Sequence, residues 1–148
     1  MANKSEQELR KLMVEMRILE QTADTIQARL NMINAVLTDL SLATATLETL
    51  EKEKPNTELL VPVGGSSYVQ AKLGNTERII VGIGAGVSIE RTLPEAKEIV
   101  KKRLEDVDKN RITLQQQFNQ VAQKMNEDRE TYETLMSELR EGKPTSNV

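Results

Sequence analysis

Apolar residues recur at alternating spacings of three and four through the first third of the chain and again through the last third. In the first run the heptad a positions are Leu9, Met16, Ala23, Leu30, Leu37 and Thr44, and the d positions are Leu12, Leu19, Ile26, Ile33, Leu40 and Leu47. Only Thr44 is polar among the twelve. Spacing held this long predicts a helix that presses its seam into a partner helix as knobs into holes. The second run places Leu93, Val100, Val107, Leu114, Val121, Asp128 and Leu135 at d. Its a positions are Lys97, Leu104, Arg111, Phe118, Met125, Tyr132 and Leu139. At a rise of 1.5 Å per residue the two helices would extend about 60 Å and about 70 Å. They are close enough in length to form one antiparallel two-helix coiled coil.

Local signals bound these elements. Ser5 with Glu8 three residues later reads as a capping box ahead of Leu9, and Lys54-Pro55-Asn56 marks the end of the first helix. Between the helical runs the period changes from 3.5 to 2. Glu58 to Val63 and Ser67 to Leu73 flank Gly64-Gly65-Ser66, and Arg78 to Ile83 and Val87 to Thr92 flank Gly84-Ala85-Gly86. Both read as hairpins, because glycine reaches the positive φ that tight turns require. Isolated strand pairs are not independently stable in water, so these call for a sheet partner from another chain. The second helix opens at Leu93-Pro94-Glu95, with Thr92 as its cap, and Gly142-Lys143-Pro144 ends it. The expected layout is a coiled-coil helix over 5–53, two hairpins over 57–92, a second helix over 93–141 and a disordered tail over 142–148, all in one subunit. The fold class is α+β.

Composition narrows the function. The 148 residues include one Phe, two Tyr and no Trp, and 29% are charged, which leaves few large side chains for a globular core. A chain of this kind needs other subunits for stability. It has no cysteine and no histidine, which removes thiol nucleophiles, the usual zinc sites and any Ser-His or Cys-His pair. Catalysis, cofactors and metals are not expected. With 20 basic and 23 acidic residues interspersed, and almost no aromatic residues to stack bases, nucleic acid is a poor partner. Met1 to Arg10 has no apolar core and does not read as a signal peptide, so cytoplasmic residence is the default expectation. The stretch 30–47 carries one charge, Asp39, but its Asn, Ser and Thr residues read as too polar for a bilayer span.

Three features carry alternative readings. Gly82-Ile83-Gly84-Ala85-Gly86 is superficially a phosphate loop, but it leads into the strand-like Val87 to Arg91 and not into a helix, so the hairpin turn is favoured. Arg111 and Asp128 occupy seam positions. Either their heads reach water past apolar stems, which is the favoured reading, or they set the register of the coil. Met13, Val14 and Ile18 lie off the seam near the free end of the first helix, and in a hairpin that end lies beside Met136. Five methionines, Met1, Met13, Met16, Met125 and Met136, fall toward this shared end. Methionine is flexible and polarizable and adapts to irregular apolar surfaces. Chance in a moderately amphipathic helix explains the same pattern.

The order coil, two hairpins, coil, together with Leu60-Val61-Pro62-Val63-Gly64, Tyr68-Val69-Gln70-Ala71-Lys72-Leu73 and Val81-Gly82-Ile83-Gly84-Ala85-Gly86-Val87-Ser88-Ile89, resembles the alpha class of archaeal prefoldin subunits. The resemblance covers nearly the whole chain. It implies a hexamer of two alpha and four beta subunits whose hairpins join into intersubunit β-barrels, with coiled coils projecting from them. It also implies a chaperone that captures unfolded proteins at the coil tips without ATP and delivers them to a group II chaperonin.

On this resemblance, client proteins meet Met13, Val14, Met16 and Ile18 from the first helix and Tyr132, Leu135, Met136 and Leu139 from the second. The hairpin residues for oligomerisation are Leu60, Val61, Val63, Tyr68, Val69, Ile79, Val81, Ile83, Val87 and Ile89. Pro62 suits an edge or bulge strand that tolerates a missing donor. The competing reading is a structural coiled-coil protein that forms homo-oligomers or filaments, as gamma-type prefoldins do.

Overall fold

The computed structural model describes residues 2–142. Helix α1 spans Ala2–Lys52 and helix α2 spans Leu93–Arg140, with strands β1 (Glu58–Gly64), β2 (Ser67–Lys72), β3 (Arg78–Gly84) and β4 (Val87–Thr92) between them. No glycine or proline interrupts α1, and α2 carries its one proline in the first turn, where a missing N–H costs nothing. Helix α1 begins three residues before Ser5, so the Ser5–Glu8 box is not the cap expected of it. Ser5 is instead buried inside the helix at 5% exposure. The second cap does form. The Thr92 hydroxyl accepts from the Glu95 N–H at 3.3 Å, and the Glu95 carboxylate accepts from the Thr92 N–H at 3.2 Å. These two reciprocal bonds satisfy backbone donors that a helix start would otherwise leave open. Of the tail expected over 142–148, Gly142 is held in a turn by its N–H donating to the Leu139 carbonyl at 3.3 Å, and 143–148 lie outside the described residues.

The described residues divide into two compact units, residues 35–109 and the paired segments 2–34 and 110–142. In the unit 35–109 the last turns of α1 lie beside the first turns of α2. Leu40 and Leu47 from α1, Leu93, Ala96 and Val100 from α2, and Val81 from β3 form one buried cluster, with Ile79 packed against it. Thr44, the polar seam residue, donates its hydroxyl to the Leu40 carbonyl at 2.9 Å. That bond satisfies the hydroxyl within its own helix and leaves the methyl group to pack. Lys97 at an a position reaches out of the seam to Glu51 at 2.7 Å.

The four strands make two separate antiparallel pairs, β1 with β2 and β3 with β4. Their construction is the same. Each shifts register just before its turn, between Pro62 and Gly64 in the first and between Gly82 and Gly84 in the second. Each turn then runs through three residues at positive φ, namely Gly64, Gly65 and Ser66, and Gly84, Ala85 and Gly86. Ala85 holds φ 53, a region that costs a residue with a Cβ some strain. The glycine-rich stretch is thus a hairpin turn leading into β4, and it opens no helix.

The two hairpins differ in their support. The β3–β4 pair sits on the helices through Ile79 and Val81, and Arg103 of α2 donates to the Gly82 carbonyl at 2.9 Å. The β1–β2 pair has no buried residue along either strand. Backbone bonds from Asn56 to the Leu73 carbonyl (2.7 Å) and from Leu73 to the Thr57 carbonyl (2.8 Å) close its base.

Candidate functional site

In the unit built from the chain ends, residues 4–34 of α1 pack with residues 110–140 of α2. Leu9, Ile26, Leu30 and Asp128 are buried, and the other a and d residues from Leu9 to Ile33 and from Arg111 to Leu135 are half-buried, while Leu139 is 37% exposed. The seam is therefore occupied by the chain itself. Of the residues expected to meet clients, Met16, Tyr132, Leu135 and Met136 are half-buried, whereas Met13, Val14 and Ile18 stand 49%, 59% and 56% exposed. Val14 and Ile18 are four residues apart and line one shallow groove with Leu19, rimmed by Arg10, Lys11 and Glu15. The off-seam residues of α1, and not the seam, hold the accessible apolar surface.

Asp128 departs from expectation. A head in water past an apolar stem was favoured for it, yet the residue is 3% exposed. One carboxylate oxygen meets the Lys124 ammonium at 3.3 Å, and the other is buried with no hydrogen-bond partner. Lys124 is half exposed and also approaches Glu15 of α1 at 3.6 Å, so the ion pair at the seam is shared between the helices. The hydrogen bond to Asp128, its charge and that of Glu15 hold the Lys124 ammonium above the ordinary lysine value of 10.5. Glu51 does the same for Lys97, through its hydrogen bond and charge.

A group whose folded pKa is raised contributes fully below its unfolded value and loses that contribution as pH rises through the folded one. The unfolding midpoint of the wild type is therefore expected to fall more steeply above about pH 10.5 than that of a Lys97→Met/Lys124→Met variant, with no such difference near neutrality. Thermal melts across an alkaline pH series check this. Equal slopes would mean that the two pairs add nothing.

The hairpin residues fall into two groups. Val81 is buried at 5% and Ile79 is packed against the same cluster, so these two are taken up by the chain's own core. Ile89, opposite Val81, is half-buried. Leu60, Val61, Val63, Tyr68, Val69, Ile83 and Val87 stand between 42% and 60% exposed. Ile80, at 77%, is the most exposed apolar residue of the strands, and the sequence reading missed it by following only the face of Ile79, Val81 and Ile83. Cross-strand partners share a face, so the β1–β2 pair places Leu60, Pro62 and Tyr68 on one side and Leu59, Val61 and Val69 on the other. Both sides carry apolar residues, and the first also carries Glu58, Gln70 and Lys72.

A further exposed set lies on α1, where Met32, Val36 and Leu42 are 71%, 40% and 65% exposed. By length and composition alone α1 is long and apolar enough to cross a membrane, a test that the core helices of proteins also pass. The same stretch supplies Leu40 and Leu47 to the core under β3, a role that requires protein around it.

Two long helices joined by two antiparallel hairpins, with apolar side chains exposed on the strands and on α1, define a coiled-coil subunit of the α+β class. The chain belongs to the prefoldin family, a family of non-enzymatic chaperones that assemble into oligomers, and the family model for a prefoldin subunit matches residues 19–138. It is 35% identical to the prefoldin subunit alpha of Methanopyrus kandleri over 76% of this chain and 72% of that protein. It is 36% identical to the prefoldin subunit alpha of Methanosarcina barkeri, over 74% and 78%. The fold is shared with a subunit in the cryo-EM structure of filamentous prefoldin from Methanocaldococcus jannaschii, with a TM-score of 0.66, 22% identity, and coverage of 76% of this chain and 93% of that one. The chain is thus a chaperone subunit related to the alpha class.

Proposed function

We propose that this chain is the alpha subunit of a cytoplasmic hetero-hexamer, two alpha with four beta subunits, that holds unfolded proteins without ATP and passes them to a group II chaperonin. The observation that carries the reading is the open apolar surface at Met13, Val14 and Ile18, beside a seam that is already filled. The β1–β2 hairpin, with exposed apolar side chains on both sides and no buried residue, supports assembly through strands from other subunits. No residue is assigned a catalytic role, and no cofactor or metal is invoked.

A second reading has one observation in its favour. The structural relative comes from a filament, so a homo-oligomer built through the same strands is the alternative. The relatives named as alpha subunits favour the first.

Mixing the chain with a one-hairpin beta-class subunit is expected to yield a hexamer by sedimentation and to suppress aggregation of a denatured client. Trimming residues 1–18 and 132–148 should remove that protection and leave the hexamer intact. Undiminished protection by the trimmed hexamer would refute the placement at the coil ends. Long, concentration-dependent assemblies of the chain alone would favour the filament.

A further inference from the structure

The outward face of α1 near its start has a charge pattern found nowhere else on the terminal coil. With Leu9 at a, the b, c and f positions between residues 4 and 21 hold Lys4, Arg10, Lys11 and Arg17 with the apolar Val14 and Ile18. Gln7 and Gln21 complete the set, and no acidic residue occurs in it. All eight are exposed. None of the four cations forms an ion pair or hydrogen bond among the described residues. The one acid at the rim of the Val14–Ile18 groove, Glu15, is already engaged by Lys124. The matching outward positions of α2 between residues 126 and 137 carry Glu127, Glu130 and Glu133 and no cation. The basic character is local to α1, on a chain whose net charge is -3.

We propose that this face of α1 selects client segments that pair apolar with acidic side chains. The proposal rests on the holdase reading above and names the substrate chemistry of the same site. Apolar contact at Val14 and Ile18 supplies sequence-tolerant affinity, since burial of such groups is non-directional. The unpaired cations around them attract carboxylates and repel basic segments, and like-charge juxtaposition discriminates more strongly than attraction alone. From Lys4 to Gln21 the face runs about 25 Å at 1.5 Å per residue. An extended segment of about eight residues spans that distance.

The test uses the full-length hexamer and two fluorescent peptides of about twelve residues that share their leucine and phenylalanine positions, one carrying glutamates and the other lysines elsewhere. At about 50 mM salt the acidic peptide is expected to bind about tenfold more tightly, and the gap should close toward about 500 mM as screening shortens the reach of the charges. An Arg10→Gln/Lys11→Gln/Arg17→Gln hexamer should bind both peptides alike. A Val14→Ser/Ile18→Ser hexamer should lose affinity for both while the acidic preference persists. All five substituted residues are exposed, and far-UV circular dichroism checks that the helices are unchanged.

Equal binding of the two peptides by a wild-type hexamer that still protects a denatured client would overturn the selectivity and leave the holdase reading in place. An acidic preference untouched by the glutamine variant would place the selective surface elsewhere. Vesicles containing phosphatidylserine that displace the acidic peptide from the wild type alone would overturn it in favour of a lipid surface. Failure of the wild-type hexamer to bind either peptide or to protect the client would overturn the holdase reading itself.

Discussion

Replacing Leu60 and Tyr68 with aspartate is expected to yield a chain that stays folded and helical but no longer assembles. The two residues lie on one side of the β1–β2 hairpin, each 60% exposed, and neither touches the buried cluster beneath β3. Nothing in the chain's own packing depends on them. A two-stranded hairpin is marginal in water without a further partner, so the apolar side chains on this face require cover. Burial of a leucine or a large aromatic contributes about 1.5–3 kcal/mol each. Loss of the pair therefore weakens an interface by at least about two orders of magnitude, at 1.4 kcal/mol per factor of ten. A carboxylate in its place adds the cost of burying a charge, which is larger still. Sedimentation should report a small species, while circular dichroism reports unchanged helix. Assembly of the double variant at wild-type size and affinity would show that strands β1 and β2 are not the contact.

Much of the architecture is legible in the hydrophobic spacing, because a coiled coil repeats one physical demand along its length. Every a and d position of α1, from Leu9 to Leu47, is buried or half-buried. Where a single local motif had to carry the inference, neighbours decided the outcome. Ser5–Glu8 and Thr92–Glu95 have the same spacing, yet only the second caps a helix. Thr92 follows the extended strand β4, so the backbone must change course there. Residues 2–4 hold no proline or glycine to stop α1 from starting earlier.

The strands posed a different problem. A period of two announces two faces, but Ile80 and Val81 make both faces apolar, and only tertiary packing decides that Val81 goes inward and Ile80 outward. Met13, Val14 and Ile18, proposed to face clients, are visible as apolar side chains off the seam. The proposed residues that also serve the seam, Met16, Tyr132, Leu135 and Leu139, cannot be assigned by spacing alone, because the partner helix and a client would compete for the same atoms. The basic face around Val14 and Ile18 emerges only when charges are sorted by heptad position, since the whole chain is mildly acidic.

Asp128 shows why the two charged seam residues do not behave alike. Arginine has a long apolar stem, and Arg111 is half-buried, which suits a head that reaches past the seam. Aspartate has one methylene, so its carboxylate stays where Cβ places it. At 3% exposure, with one oxygen lacking any hydrogen-bond partner, Asp128 loses hydration that its single contact to Lys124 replaces only in part. Replacing such a group with an apolar residue that fits is commonly neutral to stabilising, by up to about 4 kcal/mol. Leucine is the residue that most d positions of α1 already carry, and the substitution strands no charge. Lys124 keeps Glu15 at 3.6 Å and is 51% exposed to water. Asp128→Leu is therefore expected to raise the thermal unfolding midpoint by several degrees, a gain on the order of 1–4 kcal/mol. Asp128→Asn should not reproduce it, since the amide leaves a buried polar group and loses the charge that Lys124 meets. A lower midpoint for the leucine variant would mean that the carboxylate stabilises the coil, and that the register of α1 against α2 depends on it.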